Sequence, residues 1–439
     1  MNIYNNWGFN NPPFNHKPLG RDFYGERLLI GREKEICKII SRLKYTNKIV
    51  TVEGDVGIGK TSLVNVALFK MYDEINKTNE GIQVPCIDIF QLSSDEDINT
   101  FRKSVLLKLA ETIVCNCEFV NNKMKHTIGK FFDPETVTSV NGGLSILGCG
   151  LDTGRSKELN DTQVFSEDGF YSLIVNFLED SFREFENSGI VCIIDNLELI
   201  RSDEKARYLL EQMRDTVFNI PGTKWVLCGA NNIFRSLVRS QRLQGYIYDP
   251  INVNPLSIED IPKVLDIRID VFSTDDYYLP FEEEEFISLY RILKGNTRAI
   301  FDMIDKYCNW VFENGDTPDT SEDKESLFGE WLRTIAINDL MDIISSERSN
   351  YIEIYFNICQ NGERISKKEY EELIGISTIA FPSYVEFSEK YGIMKLDGDY
   401  LRHQTKGSFL KYYFEEFDSY SELCIATKEE FDIDLEDDL

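Results

Sequence analysis

The sequence predicts an α/β core built on a five-stranded parallel sheet, followed by an all-helical domain and a small domain of three helices and a hairpin. Three observations carry that expectation. Gly54-Asp55-Val56-Gly57-Ile58-Gly59-Lys60-Thr61 fits G-x-x-x-x-G-K-[ST], between an apolar run at 48–53 and a helix opening at Ser62. Apolar strands then alternate with amphipathic helices as far as residue 254, as they do when a parallel sheet is covered on both faces. Beyond Pro255-Leu256-Ser257 the apolar spacing is helical, until a hairpin pattern appears after Gly392.

The elements follow in order. Residues 1–24 show no helical or strand period and read as an extended arm, with Trp7, Phe9 and Phe14 available to pin it to a surface. A helix over 33–43 places Ile36, Ile39, Ile40 and Leu43 on one face. The second strand, 84–90, contains Pro85, which lacks an N–H and therefore favours an edge. A helix over roughly 96–114 follows. Residues 115–165 form an insertion in which Asn141-Gly142-Gly143 between apolar runs signals a β-ribbon. The helix at 168–187 leads to Gly189–Ile194, apolar throughout as a central parallel strand should be. Strands at 224–229 and 246–252 complete the core, residues 25–254.

The helical domain spans 255–346, with helices at 258–271, 282–293, 297–313 and 327–346 and a polar linker at 314–325. Residues 347–418 hold helices at 351–360, up to Leu373, and at 380–390. Strands at 392–396 and 400–403 then pair across Asp397-Gly398-Asp399, which is the winged-helix order. Residues 419–439 are acidic and poor in apolar side chains, the composition of a disordered tail.

Composition narrows the function classes. Lysine and arginine total 47 against 75 aspartates and glutamates, a net charge of −28, which repels a polyphosphate backbone over most of the surface. Ten scattered cysteines without a C-x-x-C and only three histidines argue against a zinc site and suit a reducing compartment. No apolar run is as long as a membrane span, and the asparagine-rich start does not resemble a signal peptide, so a cytoplasmic protein without a membrane partner is expected.

The chemistry centres on the glycine loop. Backbone N–H groups of Gly54, Asp55, Val56, Gly57, Ile58, Gly59 and the following Lys60, Thr61 and Ser62 turn around phosphate oxygens at a helix N-terminus. Lys60 is expected to reach the β- and γ-phosphates of ATP, and the Thr61 hydroxyl to ligate Mg²⁺. Asp195, at the end of the third strand, is placed to hold the same Mg²⁺ shell. Hydrolysis also needs a group that takes a proton from water. The residue after Asp195 is Asn196, whose amide cannot do so, which leaves Glu198 as the nearest carboxylate. Asn231, at the end of the fourth strand, is a candidate contact to the γ-phosphate or the attacking water. Arg242 is a candidate arginine finger toward a neighbouring subunit, and Arg298, at a helix start, a candidate sensor of the phosphates.

These motifs resemble a known family. Ile30-Gly31-Arg32-Glu33 is similar to the adenine-side motif of AAA+ and STAND ATPases, in particular the branch containing origin-recognition initiators. Pro255-Leu256-Ser257-Ile258-Glu259-Asp260 and Gly295-Asn296-Thr297-Arg298 resemble the start of that family's helical lid and its sensor 2 motif. The resemblance covers residues 25–415. It implies an AAA+-like P-loop NTPase core with a lid and a winged helix, Leu29 and Ile30 against adenine, and Arg298 as sensor 2. Asn196 stands where many relatives carry a second acid, and the 115–165 insertion lengthens the interval before Asp195. The insertion, with no recognisable effector or repeat domain after the winged helix, brings STAND-like proteins of bacterial conflict or signalling systems closer than replication initiators.

The implied function is a slow ATPase acting as a nucleotide-dependent conformational or assembly switch, alternating between ATP and ADP and addressing a protein effector or further copies of itself. The alternative is an initiator- or regulator-type ATPase that binds DNA through the winged helix. The predicted third helix disfavours it, because that helix carries Glu386 and Glu389 and no basic residue before Lys390.

Overall fold

The computed structural model describes residues 3–431 apart from 79–82, 94, 96, 117–166, 183–187, 201–202, 231–233, 235–239, 275, 345–348 and 375–378. The chain divides into two compact units, one of residues 18–254 and one of residues 1–17 with 255–439.

The first unit is a five-stranded parallel sheet. Its strands are β1 (Val50–Glu53), β2 (Gln83–Gln91), β3 (Gly189–Asp195), β4 (Thr223–Gly229) and β5 (Ile251–Asn252), in the order β2-β3-β4-β1-β5. All four pairings are parallel. The run Ile190–Ile194 is apolar throughout because both sheet faces are covered. Ile190, Cys192 and Ile194 enter one core with Phe90, Leu109 and Trp225, while Val191 and Ile193 enter the other with Val52, Leu63 and Val226. Two helices, α3 (Glu33–Tyr45) and α4 (Lys60–Thr78), supply the second core, and α5 (Ile98–Asn116), α6 (Glu167–Phe182) and α7 (Asp203–Thr216) supply the first.

Pro85 does lie on an edge strand, and the β2–β3 register shifts between Pro85 and Ile89, where the ladder lacks a donor. The fifth strand is shorter than its apolar pattern over 246–252 suggests. Only Ile251 and Asn252 pair as a strand, with an isolated bridge from Ile49 to Ile247 before Asp249-Pro250. Pro250 offers no N–H to continue the ladder. The ribbon expected within 115–165 lies outside the described residues, save for the end of α5. Among the described residues, no helix is long and apolar enough to cross a membrane.

The second unit corrects the expectation of an extended arm. Ile3–Asn6 forms a helical turn, α1, and Tyr4, Phe9 and Phe14 are buried. The Tyr4 hydroxyl donates to Asp305 Oδ1 at 2.8 Å, and Phe14 packs against Phe281 and Phe286. No period is visible in residues 3–14 because their partners lie some 260 to 300 positions further along the chain. The arm also ends earlier than expected: residues 18–24 belong to the other unit, and α2 (Phe23–Leu28) starts there under an Asp22 cap.

Helices α8 (Ile261–Phe272), α9 (Glu283–Ile292), α10 (Thr297–Asn314) and α11 (Ser321–Ile344) build the rest of the helical part. The polar linker is shorter than expected, since α11 begins at Ser321. Ala336, Ile337, Leu340 and Ile343 of α11 share a core with the C-terminal elements. Those elements are α12 (Ser349–Asn361), β6 (Arg364–Ser366), α13 (Lys367–Ile374), α14 (Phe381–Lys390), β7 (Met394–Asp397) and β8 (Tyr400–His403). The three strands pair antiparallel in the order β6-β8-β7. After α15 (Thr405–Phe414), the expected acidic tail is instead helical over Tyr420–Phe431, as α16. Leu423, Cys424 and Thr427 are buried from it, and Tyr420 packs beside them, so a single apolar stripe hides within an acidic composition. Residues 432–439 lie outside the described ones.

A buried histidine sits in this second unit. The Tyr355 hydroxyl donates to Gly407 O at 2.6 Å, so its one proton is used and the His403 Nδ1–H donates to the Tyr355 oxygen at 2.7 Å. Burial, helped by the Lys294 charge, pushes the imidazole down to about 4.

Two stability tests follow from these packings. Phe14→Ala is expected to destabilise the helical unit by about 3–5 kcal/mol, read as a lower urea midpoint of that unit's transition. A loss below about 1 kcal/mol would mean the segment is not docked. His403 stays neutral in the folded chain down to about 4, whereas the unfolded chain takes up its proton near pH 6.5. Stability therefore falls as pH drops through that window, by about 3 kcal/mol in total. His403→Asn, which keeps a donor toward Tyr355, should flatten that segment of the stability–pH curve; an unchanged slope would refute the assignment.

Candidate functional site

β1 ends at Glu53 and α4 begins at Lys60, so Gly54–Gly59 must reverse the chain in six residues. Gly54 is needed for space, since a Cβ there would lie 2.6 Å from Val253 O. Gly59 is needed for its backbone: nothing lies within 4 Å of a Cβ, but φ is +95°, which side chains rarely adopt. Leu63 N–H bonds to Gly59 O at 2.9 Å, which makes Gly59 the cap of α4. The N–H groups of Lys60, Thr61 and Ser62 then lie in the first turn, where no intrahelical acceptor exists. Donors left over at a helix N-terminus are available to an anion.

Lys60, only 6% exposed, is folded back over this loop. Its ammonium donates to Gly54 O at 3.0 Å and Asp55 O at 3.1 Å, and lies 3.9 Å from Glu198 Oε1. The Thr61 hydroxyl donates to Asp195 Oδ2 at 2.6 Å, and Asn196 N–H donates to Asp195 Oδ1 at 2.9 Å. Asn196 is in the left-handed region, with φ of 58°, a conformation asparagine tolerates better than most residues. It ends β3 and starts the 3₁₀ turn Leu197–Leu199 that carries Glu198 toward Lys60. The second oxygen of Glu198, Oε2, is buried without a hydrogen-bond partner. Cys228, on the strand between β1 and β3, has its thiol pushed up by burial and secondarily by the Asp195 charge, so it stays neutral.

The donor set fits phosphate and a hard cation. A lysine ammonium and first-turn N–H groups face one way, and a hydroxyl and a carboxylate oxygen stand side by side. Mg²⁺ takes oxygen ligands and prefers one or two protein groups plus phosphates and water. Among the described residues there is no group of three or more histidine, cysteine, aspartate or glutamate side chains that could hold a metal ion.

The other candidates are spread out. Leu29 and Ile30 are half-buried between α2 and α3, and Leu29 packs on the α3–α4 side of the core. Ile58 is buried, Asp55 and Val56 are exposed, and the Ser62 hydroxyl accepts from Leu19 N–H at 3.0 Å. Asn231 lies outside the described residues. Arg242 is on the surface and pairs with Asp215 at 2.6 Å. Arg298 is exposed at the start of α10, in the second unit.

Sequence reasoning missed three residues beside the loop. Asn65 Nδ2 donates to Leu19 O at 2.9 Å, and Arg21 Nε donates to Asn65 Oδ1 at 3.0 Å. Arg21 also donates to Cys86 O, and burial lowers its pKa. The available signal was Asn65 itself, a lone amide within the apolar run Leu63–Leu68.

No family model matches the chain, and no curated protein matches it. Solved structures do. The Aeropyrum pernix ORC2 protein, solved as ADPNP–ADP complexes, is 11% identical and covers 93% of this chain and 98% of its own, with a TM-score of 0.48. A Walker-type ATPase of Pyrococcus abyssi is 14% identical, covering 92% and 99%, with a TM-score of 0.45. The Aeropyrum pernix ORC1 protein, solved in complex with DNA, is 11% identical, covering 92% and 98%, with a TM-score of 0.44. Origin-recognition proteins, the group the motifs resemble, are thus among the solved structures to which this chain is similar.

Removing the ammonium tests the site directly. Lys60→Ala is expected to weaken binding of a fluorescent ATP analogue about 10- to 100-fold. Thr61→Val should instead abolish the Mg²⁺-dependent part of the affinity; equal affinity of both variants and wild type would dismiss the loop as a phosphate site.

Proposed function

We propose that this chain is an ATP-binding, slowly hydrolysing switch whose nucleotide state sets its conformation or assembly. The observation that carries the reading is the convergence of Lys60, Thr61 and Asp195 at the start of α4. Bound ATP would draw the Lys60 ammonium from the Gly54 and Asp55 carbonyls to its phosphates. Mg²⁺, held by the Thr61 hydroxyl and Asp195, would neutralise charge developing on the phosphate oxygens.

In hydrolysis, water oxygen bonds to the γ-phosphorus while the bond from that phosphorus to the bridging oxygen breaks and ADP leaves. Glu198 is the proposed acceptor of the water proton, because its carboxylate already faces Lys60 and keeps one oxygen without a partner. That oxygen is buried, and Asn196 cannot share the task, which supports slow turnover. Asn231 is proposed to contact the γ-phosphate or the attacking water, Arg298 to report on the phosphates, and Arg242, after leaving Asp215, to act as an arginine finger toward a neighbouring subunit.

We read the six elements from α12 to β8 as a winged helix that faces protein. Lys367 pairs with Glu371 at 3.7 Å, Lys368 with Glu372 at 3.4 Å, Arg402 with Asp397 at 3.2 Å and Lys406 with Asp339 at 2.8 Å. The exposed residues of α14 are Pro382, Ser383, Glu386 and Glu389, with Lys390 only at its end. Charges spent on neighbouring carboxylates are poorly placed for DNA phosphates.

Sedimentation velocity should distinguish ATP-bound from ADP-bound protein, and Lys60→Ala should remove the difference. Identical profiles in ATP, ADP and no nucleotide would sink the switch. In phosphate-release assays, Glu198→Gln should lower turnover about 10²-fold or more, in line with loss of a general base, while Asn196→Asp raises it. A salt-sensitive shift with duplex DNA near physiological ionic strength would turn the reading toward a DNA-binding regulator.

A further inference from the structure

The N-terminal segment belongs to both units, one half to each. Residues 3–14 are built into the helical unit. Tyr278 N–H donates to Trp7 O at 2.9 Å, Thr274 N–H to Gly8 O at 2.7 Å, and Asn10 N–H to Phe272 O at 2.8 Å. Arg268, buried among the helices, donates to Pro13 O at 2.6 Å and lies 3.8 Å over the Phe301 ring. Gly8 is held so closely that a Cβ there would lie 2.0 Å from Asp276 O.

Residues 19–28 are built into the core instead, along one side of α4. Leu19 is gripped at both ends, its N–H by Ser62 Oγ and its carbonyl by Asn65 Nδ2. Arg21 bonds to Asn65 and to Cys86 O, and Glu26 pairs with Lys70 at 3.0 Å. The grip begins at Ser62, one position past the Thr61 hydroxyl of the phosphate site.

Only Asn15, His16, Lys17 and Pro18 separate the buried Phe14 from Leu19. Five Cα-to-Cα steps span at most about 18 Å, so those two anchors are never further apart than that. The other crossing is just as short. Val253 N–H donates to Glu53 O at 2.7 Å in the core, and Leu256 O accepts from the Tyr290 hydroxyl at 2.6 Å in the helical unit. A second short linker removes part of the relative freedom that a single linker leaves to two bodies.

We infer that residues 3–28 form a second covalent tether that restricts the relative motion of the two units and ties the helical unit to the nucleotide-binding end of α4. The inference rests on the proposed switch. A shift of α4's first turn on phosphate binding acts on Leu19 and, across the four residues that precede it, on a segment locked into the helical unit. The helical unit is thereby attached to the phosphate site by covalent chain as well as by any contact with the nucleotide.

The test adds slack without undocking either half. About twelve Gly and Ser residues inserted between Lys17 and Pro18 form a flexible coil. The same insertion after Gly398, in the exposed β7–β8 turn, is the control. ATP affinity should stay within twofold of wild type in both. The ATP-induced change in sedimentation coefficient should fall by half or more with slack at 17/18 and persist in the control. Asn65→Ala, which frees Leu19 and Arg21 from α4, should act in the same direction and serves if the insertion variant does not fold. A full ATP response in both the insertion variant and Asn65→Ala overturns the tether while leaving the switch intact. A wild type with no ATP response overturns both.

Discussion

The 2.6 Å bond from the Thr61 hydroxyl to Asp195 Oδ2 joins residues 134 positions apart, and the core must be correct for it to form. Thr61 is carried by the helix that follows β1, and Asp195 by the end of β3. Strand β4 lies between those two strands, so both must emerge at the same edge of a parallel sheet. Parallel pairing in turn requires the crossover helices that cover both faces, and hence the continuous apolar strand Ile190–Ile194. An oxygen pair suited to a hard cation is the local result of that long-range order.

Lys60 is a buried charge of this end of the core. A buried ammonium without partners is unfavourable, and Lys60 meets the difficulty with two carbonyls of its own loop and the Glu198 carboxylate. Asn196 contributes through its backbone: the left-handed turn at this residue aims Glu198 back at the loop and gives its N–H to Asp195. The residue type that removes a second acid from the site also eases the turn that brings in the remaining one.

The second unit is held together by less obvious means. Aromatic rings from the chain's first fourteen residues fill space among helices that arise after residue 255, and a guanidinium stacked on Phe301 holds the segment by its Pro13 carbonyl. Helix α11 contributes one face to the C-terminal elements, so the helical part and the three-stranded sheet share a core. A boundary drawn at 346/347 from sequence falls just beyond a helix that packs against residues on both sides of it.

What the sequence determined by itself was whatever depends on neighbours a few residues apart. The glycine loop, its flanking strand and helix, the apolar strand before Asp195 and the alternation of strand and helix are local patterns, because backbone angles, helix ends and sheet burial impose them within ten residues or so. Tertiary structure decided the rest. It brought Glu198 to Lys60, since that approach depends on one left-handed residue. It buried Phe9, Phe14 and the α16 stripe, because their partners are hundreds of positions away or masked by acidic composition. It gave Asn65 and Arg21 their role, because a polar side chain in an apolar run declares that it has a partner without naming it.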